Sequence, residues 1–135
     1  MTSKVNYQGR LRTSAVHLQS NSTIITDAPV DNHGKGEAFS PTDLVATALA
    51  SCMMTIMGIK AESMQVDLTG THASIKKHMS ETPRRISEVD VVVYMNNNYE
   101  SKSRKLLEAA ALTCPVAKSL HPETKQNIEF VYPND

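Results

Sequence analysis

The chain has 135 residues, fourteen basic and fourteen acidic side chains and a formal net charge of zero, which suits one domain over residues 1–135 with a single core. Its charges are interspersed, with no basic run or tail, so neither nucleic acid nor an anionic membrane is an expected partner. The N-terminal residues lack the apolar run of a signal peptide, and the longest uncharged stretch, residues 44–59, is sixteen residues, short for a membrane span. The expectation is a cytoplasmic protein, where a disulfide is transient and catalytic rather than structural.

Residues 5–27 read as short strands, with the polar break Gln19-Ser20-Asn21-Ser22 suited to a hairpin turn. Arg10 and Arg12 are two apart on the expected strand and so would face the same way. Residues 28–40 contain Pro29, Gly34 and Gly36 and read as a loop. The clearest helix start follows: Ser40 as N-cap, Pro41 at the first helical position and Asp43 three after the cap. That helix is expected to run to about Ala61. It has no polar face, which predicts burial all round. Thr47, Ser51 and Thr55 recur every four residues as one small, weakly polar stripe, fit to pack on a partner helix or to line a site.

Residues 66–77 and 86–95 read as extended, joined by a turn at Glu81-Thr82-Pro83-Arg84-Arg85. In the second, Val89, Val91, Val93 and Met95 alternate with Glu88, Asp90 and Tyr94, the period of a half-buried strand. Residues 99–112 form an amphipathic helix with Leu106, Leu107 and Ala110 inward and an outward Arg104–Glu108 pair. Thr113-Cys114-Pro115 starts a short helix ending near Leu120, and residues 127–132 make a last strand. This order gives an α+β domain rather than repeated βαβ units.

The two cysteines have opposite settings. Cys52 lies in an apolar helix, where a thiol is usually packing and where burial raises its pKa. Cys114 would be an N-cap, where the helix dipole and free N–H groups favour a thiolate, although it could equally cap as a serine does. The five histidines (His17, His33, His72, His78, His121) show no metal-ligand spacing, so no metal is expected. No phosphate-binding Gly loop and no Gly-x-Ser-x-Gly elbow is present, and no cofactor is implied.

The stretch from Gly34 to Cys52, GKGEAFSPTDLVATALASC, followed by Cys114-Pro-Val-Ala-Lys-Ser-Leu120, closely resembles the OsmC/Ohr family. The resemblance implies an OsmC-like fold, with antiparallel sheets around a long buried central helix, in an intertwined homodimer with its sites between subunits. It implies a metal-free thiol peroxidase for organic hydroperoxides, with Cys52 as nucleophile, Cys114 as resolving thiol and an external dithiol as reductant. The family's peroxidase branches add an arginine from the N-terminal strands and a glutamate at the start of the cysteine helix. Arg12 fills the first role, with Arg10 in reserve. Thr42 stands at the glutamate position, a pattern closer to the general OsmC-like subgroup. The rival expectations are a dimer that binds a small ligand without chemistry, and a thiol-dependent acyl or persulfide transferase.

Overall fold

The computed structural model describes all 135 residues, Met1–Asp135. They divide into two compact units, Met1–Val45 and Ala46–Asp135.

The first unit is a three-stranded antiparallel sheet of β1 (Ser3–Gly9), β2 (Arg12–His17) and β3 (Thr23–Asp27), in that order. The expected turn at residues 19–22 joins β2 to β3. A second turn, Gly9-Arg10-Leu11, joins β1 to β2, with all three residues at positive φ (83°, 56° and 65°). Arg10 is therefore an exposed turn residue rather than a strand neighbour of Arg12, which corrects the shared-face expectation. The loop after β3 coils back on itself: Gly34 N–H donates to Pro29 O and Gly36 N–H to Ala28 O. A Cβ at Gly34 would lie 1.7 Å from Ala28 O, so only glycine fits there. The buried residues of this unit are Thr26, Asp27 and Ser40, all polar. Val5, Tyr7, Ile24 and Ile25 stay exposed, so the sheet has no apolar core of its own in the single chain.

The long helix α1 (Pro41–Ser63) begins in the first unit and continues through the second. Its start is the expected capping box: Ser40 Oγ accepts Asp43 N–H, and Asp43 Oδ2 accepts Ser40 N–H, both at 3.0 Å.

The second unit adds β4 (His72–Glu81), β5 (Arg84–Tyr94), α2 (Ser101–Ala111), α3 (Pro115–Ser119) and β6 (Lys125–Val131). The sheet order is β4-β5-β6. β4 and β5 are antiparallel, but β6 lies parallel to β5, so this sheet is mixed rather than wholly antiparallel as expected. The physical reason is the connection: α2 and α3 form the crossover that a parallel pair requires. The alternation read in β5 holds, with Val89, Val91, Val93 and Met95 all buried.

The core joins these residues to Ala46, Leu49, Ala50, Met53, Met57 and Ala61 of α1, and to Leu107, Ala111, Cys114 and Tyr132. Leu106 is exposed, with Leu107 and Ala111 taking the inward positions of α2. Arg104 and Glu108 do not form the expected outward pair. The Arg104 guanidinium lies 3.8 Å from the Tyr132 ring centroid, and Glu108 accepts the Tyr132 hydroxyl at 2.7 Å. A tertiary partner has won over the local i, i+4 contact.

Within the single chain, burial of α1 is one-sided rather than all round. Val45, Ala48, Ser51, Thr55 and Ile59 are exposed, Cys52 is half-buried, and the buried residues form the opposite face. By length and composition alone, α1 also passes for a membrane span.

Candidate functional site

The two cysteines meet in the second unit. Pro115 sits at the first helical position of α3, where its missing N–H costs nothing, and this leaves Cys114 as the N-cap. Cys114 Sγ accepts the Ala117 N–H at 3.3 Å and stands 4.0 Å from the Leu49 carbonyl oxygen of α1. Leu49 precedes Cys52 by less than one turn, so the sulfur of α3 is seated against the segment of α1 that carries the other thiol. Cys114 is fully buried, and both cysteines are free thiols.

Their electrostatics differ from the local expectation. Burial pushes the Cys114 thiol up, the Ala117 N–H pulls it down by less, and the Cys52 side chain raises it further through a hydrogen bond and its charge. The cap N–H favours a thiolate, but desolvation is the larger effect. Burial thus favours the neutral Cys114 thiol, with Cys52 near enough to add to the effect. Cys52, half-buried, sits where the buried face of α1 meets the exposed one. The core that holds Cys114 is sulfur-rich, with Met53 and Met57 fully buried and Met54 packed against it.

The two arginines belong to the first unit, with Arg10 in the β1–β2 turn. Arg12 pairs directly across the β2–β3 ladder with Asp27. Its Nε donates to Asp27 Oδ1 at 2.7 Å and its Nη2 to Oδ2 at 2.8 Å, a bidentate fork. Nη2 also reaches Glu37 Oε1 at 3.4 Å. The Asp27 carboxyl is held below the ordinary range, first by the Arg12 hydrogen bonds, against the opposing effect of burial. Arg12 is raised by the same pair. Thr42 bonds with Ser40 Oγ at 3.2 Å, and Asp43 serves as the cap that the sequence indicates.

Sequence reasoning missed Asp27 and Glu37. The register centres between Gln19 and Ser20, one residue before the middle of the expected turn at residues 19–22, and this shift is what places Arg12 opposite Asp27. No three His, Cys, Asp or Glu side chains cluster as a metal ion would need. His78 instead bonds Asp90 Oδ2 at 2.7 Å across β4 and β5.

Against known proteins, the family model for OsmC-like proteins matches residues 34–129. A solved structure from Psychrobacter arcticus 273-4, provisionally named an osmotic stress induced and detoxification response protein, is 60% identical. It aligns over 96% of this chain and 95% of its own, with a TM-score of 0.94. An organic hydroperoxide resistance protein OsmC from Legionella pneumophila shares the fold at 16% identity, covering 97% of each chain with a TM-score of 0.75. The organic hydroperoxide resistance protein OhrB of Bacillus subtilis does so at 18% identity, with a TM-score of 0.66 over 96% of this chain and 98% of its own. No curated protein matches.

Proposed function

The chain belongs to the OsmC-like family, and from that premise we propose that it is a cytoplasmic, homodimeric thiol peroxidase acting on organic hydroperoxides. The observation that carries the reading is the thiol pair: a half-buried Cys52 and a fully buried Cys114, both free, with Cys114 seated against the α1 segment that carries Cys52. A redox role also accords with the names of the Legionella and Bacillus proteins that share the fold.

In the proposed cycle the Cys52 thiolate attacks the distal peroxide oxygen. The O–O bond breaks, the alkoxide takes a proton and leaves as alcohol, and Cys52 becomes a sulfenic acid. Cys114 then attacks that sulfur. The S–S bond forms, and the hydroxyl leaves with the Cys114 proton as water. An external dithiol restores both thiols by exchange and is itself oxidised to a disulfide. A buried, neutral Cys114 suits this order of events, because a thiol with little thiolate does not compete for peroxide. By the family resemblance, Arg12, with Arg10 in reserve, is the cation proposed to favour the Cys52 thiolate. No metal, cofactor, nucleic acid or membrane takes part.

Two features support a second copy of the chain as partner. Val45, Ala48, Cys52, Thr55 and Ile59 recur at alternating spacings of three and four along the exposed side of α1, the pattern of a helix seam. The β1–β3 sheet leaves its apolar side chains uncovered. Ile59→Arg is expected to shift the protein toward monomer in sedimentation velocity; an unchanged dimer would remove α1 from the interface.

The test of function follows thiol loss in reduced protein mixed rapidly with cumene hydroperoxide or hydrogen peroxide. Fast loss that prefers the organic peroxide, disappears in Cys52→Ser and stops at sulfenic acid in Cys114→Ser is the expected result. Loss at the rate of a free thiol, alike for both oxidants, would reject the peroxidase and favour a ligand-binding dimer or a thiol transferase.

A further inference from the structure

We propose that Gln126 is a positioning residue for Cys114, holding α3 so that the buried thiol stays seated against the α1 segment that carries Cys52; this rests on the reading of Cys114 as resolving thiol given above. Gln126, α3 and both cysteines all belong to the second unit. Gln126 stands where the strand pattern calls for an apolar residue. In the β5–β6 pairing it lies opposite Val89, as Ile128 lies opposite Val91 and Phe130 opposite Val93. The three valines are fully buried, and Ile128 and Phe130 pack on the core, so Gln126 shares the face of β6 that meets the core. A polar amide turned that way costs stability unless it is hydrogen-bonded. Its Nε2 donates to the Ala117 carbonyl of α3 at 3.0 Å.

The consequence lies in what that carbonyl belongs to. α3 has five residues, too few to hold a helix by its own bonds. The Ala117 carbonyl is one of the last four, which have no acceptor role inside the helix. At the other end of the same peptide, the Lys118 N–H donates to Cys114 O at 3.2 Å, and the preceding N–H, of Ala117, donates to Cys114 Sγ at 3.3 Å. Two successive N–H groups thus grip Cys114 by its carbonyl and by its sulfur, and Gln126 anchors them to β6. The same sulfur stands 4.0 Å from the Leu49 carbonyl oxygen of α1. Gln126 therefore ties α3 to the sheet, while Cys114 meets α1.

Two opposite roles would give opposite signs. If α3 presents Cys114 to Cys52, releasing Gln126 spreads the thiol over more positions and disfavours the bond between the two sulfurs. If α3 instead holds Cys114 back, releasing it favours that bond.

The experiment measures the equilibrium of the reduced protein with oxidised glutathione in wild type, Gln126→Met and Gln126→Asn. In that exchange the Cys52–Cys114 bond forms, the glutathione disulfide breaks, and two glutathione thiols are released. Methionine keeps the length of the side chain without the donor. Asparagine keeps the amide on a shorter stem that no longer reaches Ala117, and stands in if the methionine variant fails to fold. Circular dichroism checks the fold of each. Both variants are expected to lower the exchange constant about three- to tenfold, the worth of one neutral hydrogen bond. In Cys114→Ser protein, Gln126→Met is expected to leave the rate of Cys52 alkylation by iodoacetamide unchanged, a split that a general loosening of the core would not give.

An unchanged or higher exchange constant in a folded variant would overturn the proposal, and so would a Cys52 alkylation rate that moves with Gln126→Met. A wild-type protein that forms no Cys52–Cys114 disulfide would remove the pairing, and the role of Gln126 with it. Oxidation of wild type by cumene hydroperoxide at the rate of a free thiol would reject the peroxidase alone; the exchange with glutathione uses no peroxide and would still decide the role of Gln126.

Discussion

Cys114→Ser is the informative substitution, because it tests the site and must leave the fold intact to be read. Serine is a better N-cap than cysteine, and a stronger bond from Ala117 N–H would add about 1 kcal/mol at most. Against this, the position is fully buried, and the Leu49 carbonyl is already 4.0 Å from Sγ. The shorter C–O bond draws the hydroxyl back, leaving a buried donor without an acceptor at a cost of about 1–3 kcal/mol. The net expectation is a loss of about 1–2 kcal/mol, or roughly 4–8 °C in Tm for a chain of this size. A domain stable by about 5–15 kcal/mol stays folded. Urea and thermal melts measure the loss, and dimedone trapping read by mass spectrometry measures the sulfenic acid on the same sample. A gain in stability would refute the geometry of the buried hydroxyl. A loss beyond about 4 kcal/mol would mean the sulfur supports far more than a cap and a packing contact.

Three further outcomes follow from the same contacts. Ser40→Ala removes the side-chain half of the capping box and should cost about 1 kcal/mol in a thermal melt, while Thr42→Ala, which leaves both box bonds in place, should cost less. The Asp27 carboxyl is held low by Arg12, so its stabilisation is complete above the ordinary carboxylate range near pH 4 and disappears as pH falls through the depressed folded value. The stability gap between wild type and Asp27→Asn should therefore close in acid titrations below that range; a gap independent of pH would reject the ion pair as its source. Burial, then Glu108, raises the Tyr132 phenol, so its contribution is complete below about pH 10 and is lost as pH rises beyond. Ultraviolet titration should show a late-ionising tyrosine that Tyr132→Phe removes.

What could be read from the sequence was set by local chemistry. The Ser40–Asp43 box, the turn at residues 19–22, the alternation of β5 and the capping place of Cys114 each depend on residues a few positions apart, and each stands where it was expected. The β1–β2 turn escaped because two of its three left-handed residues, Arg10 and Leu11, carry side chains that seldom take that conformation. Arg104 escaped because a ring distant in sequence, Tyr132, outcompeted Glu108. At the site, position showed one side of the balance at Cys114. The helix start favours a thiolate there, and the burial contributed by the rest of the core opposes it and is the larger effect.

The helix α1 shows where composition and a single chain part company. A helix without a polar face needs apolar cover on all sides, and the second unit supplies it along one side only, through Leu49, Met53, Met57 and Ala61. The uncovered side is only weakly polar in compensation: it is Val45, Ala48, Ser51, Thr55 and Ile59, uncharged, small or apolar residues that invite close approach. The sequence pattern was therefore right about the requirement and incomplete about its source. Cys52 lies on the line between the two sides. Its own core brings it Cys114, and whatever covers the open seam decides how much water reaches its sulfur. A thiolate placed there gains nucleophilicity from exclusion of water only while the seam is covered, so in the proposed dimer assembly and reactivity are one question rather than two.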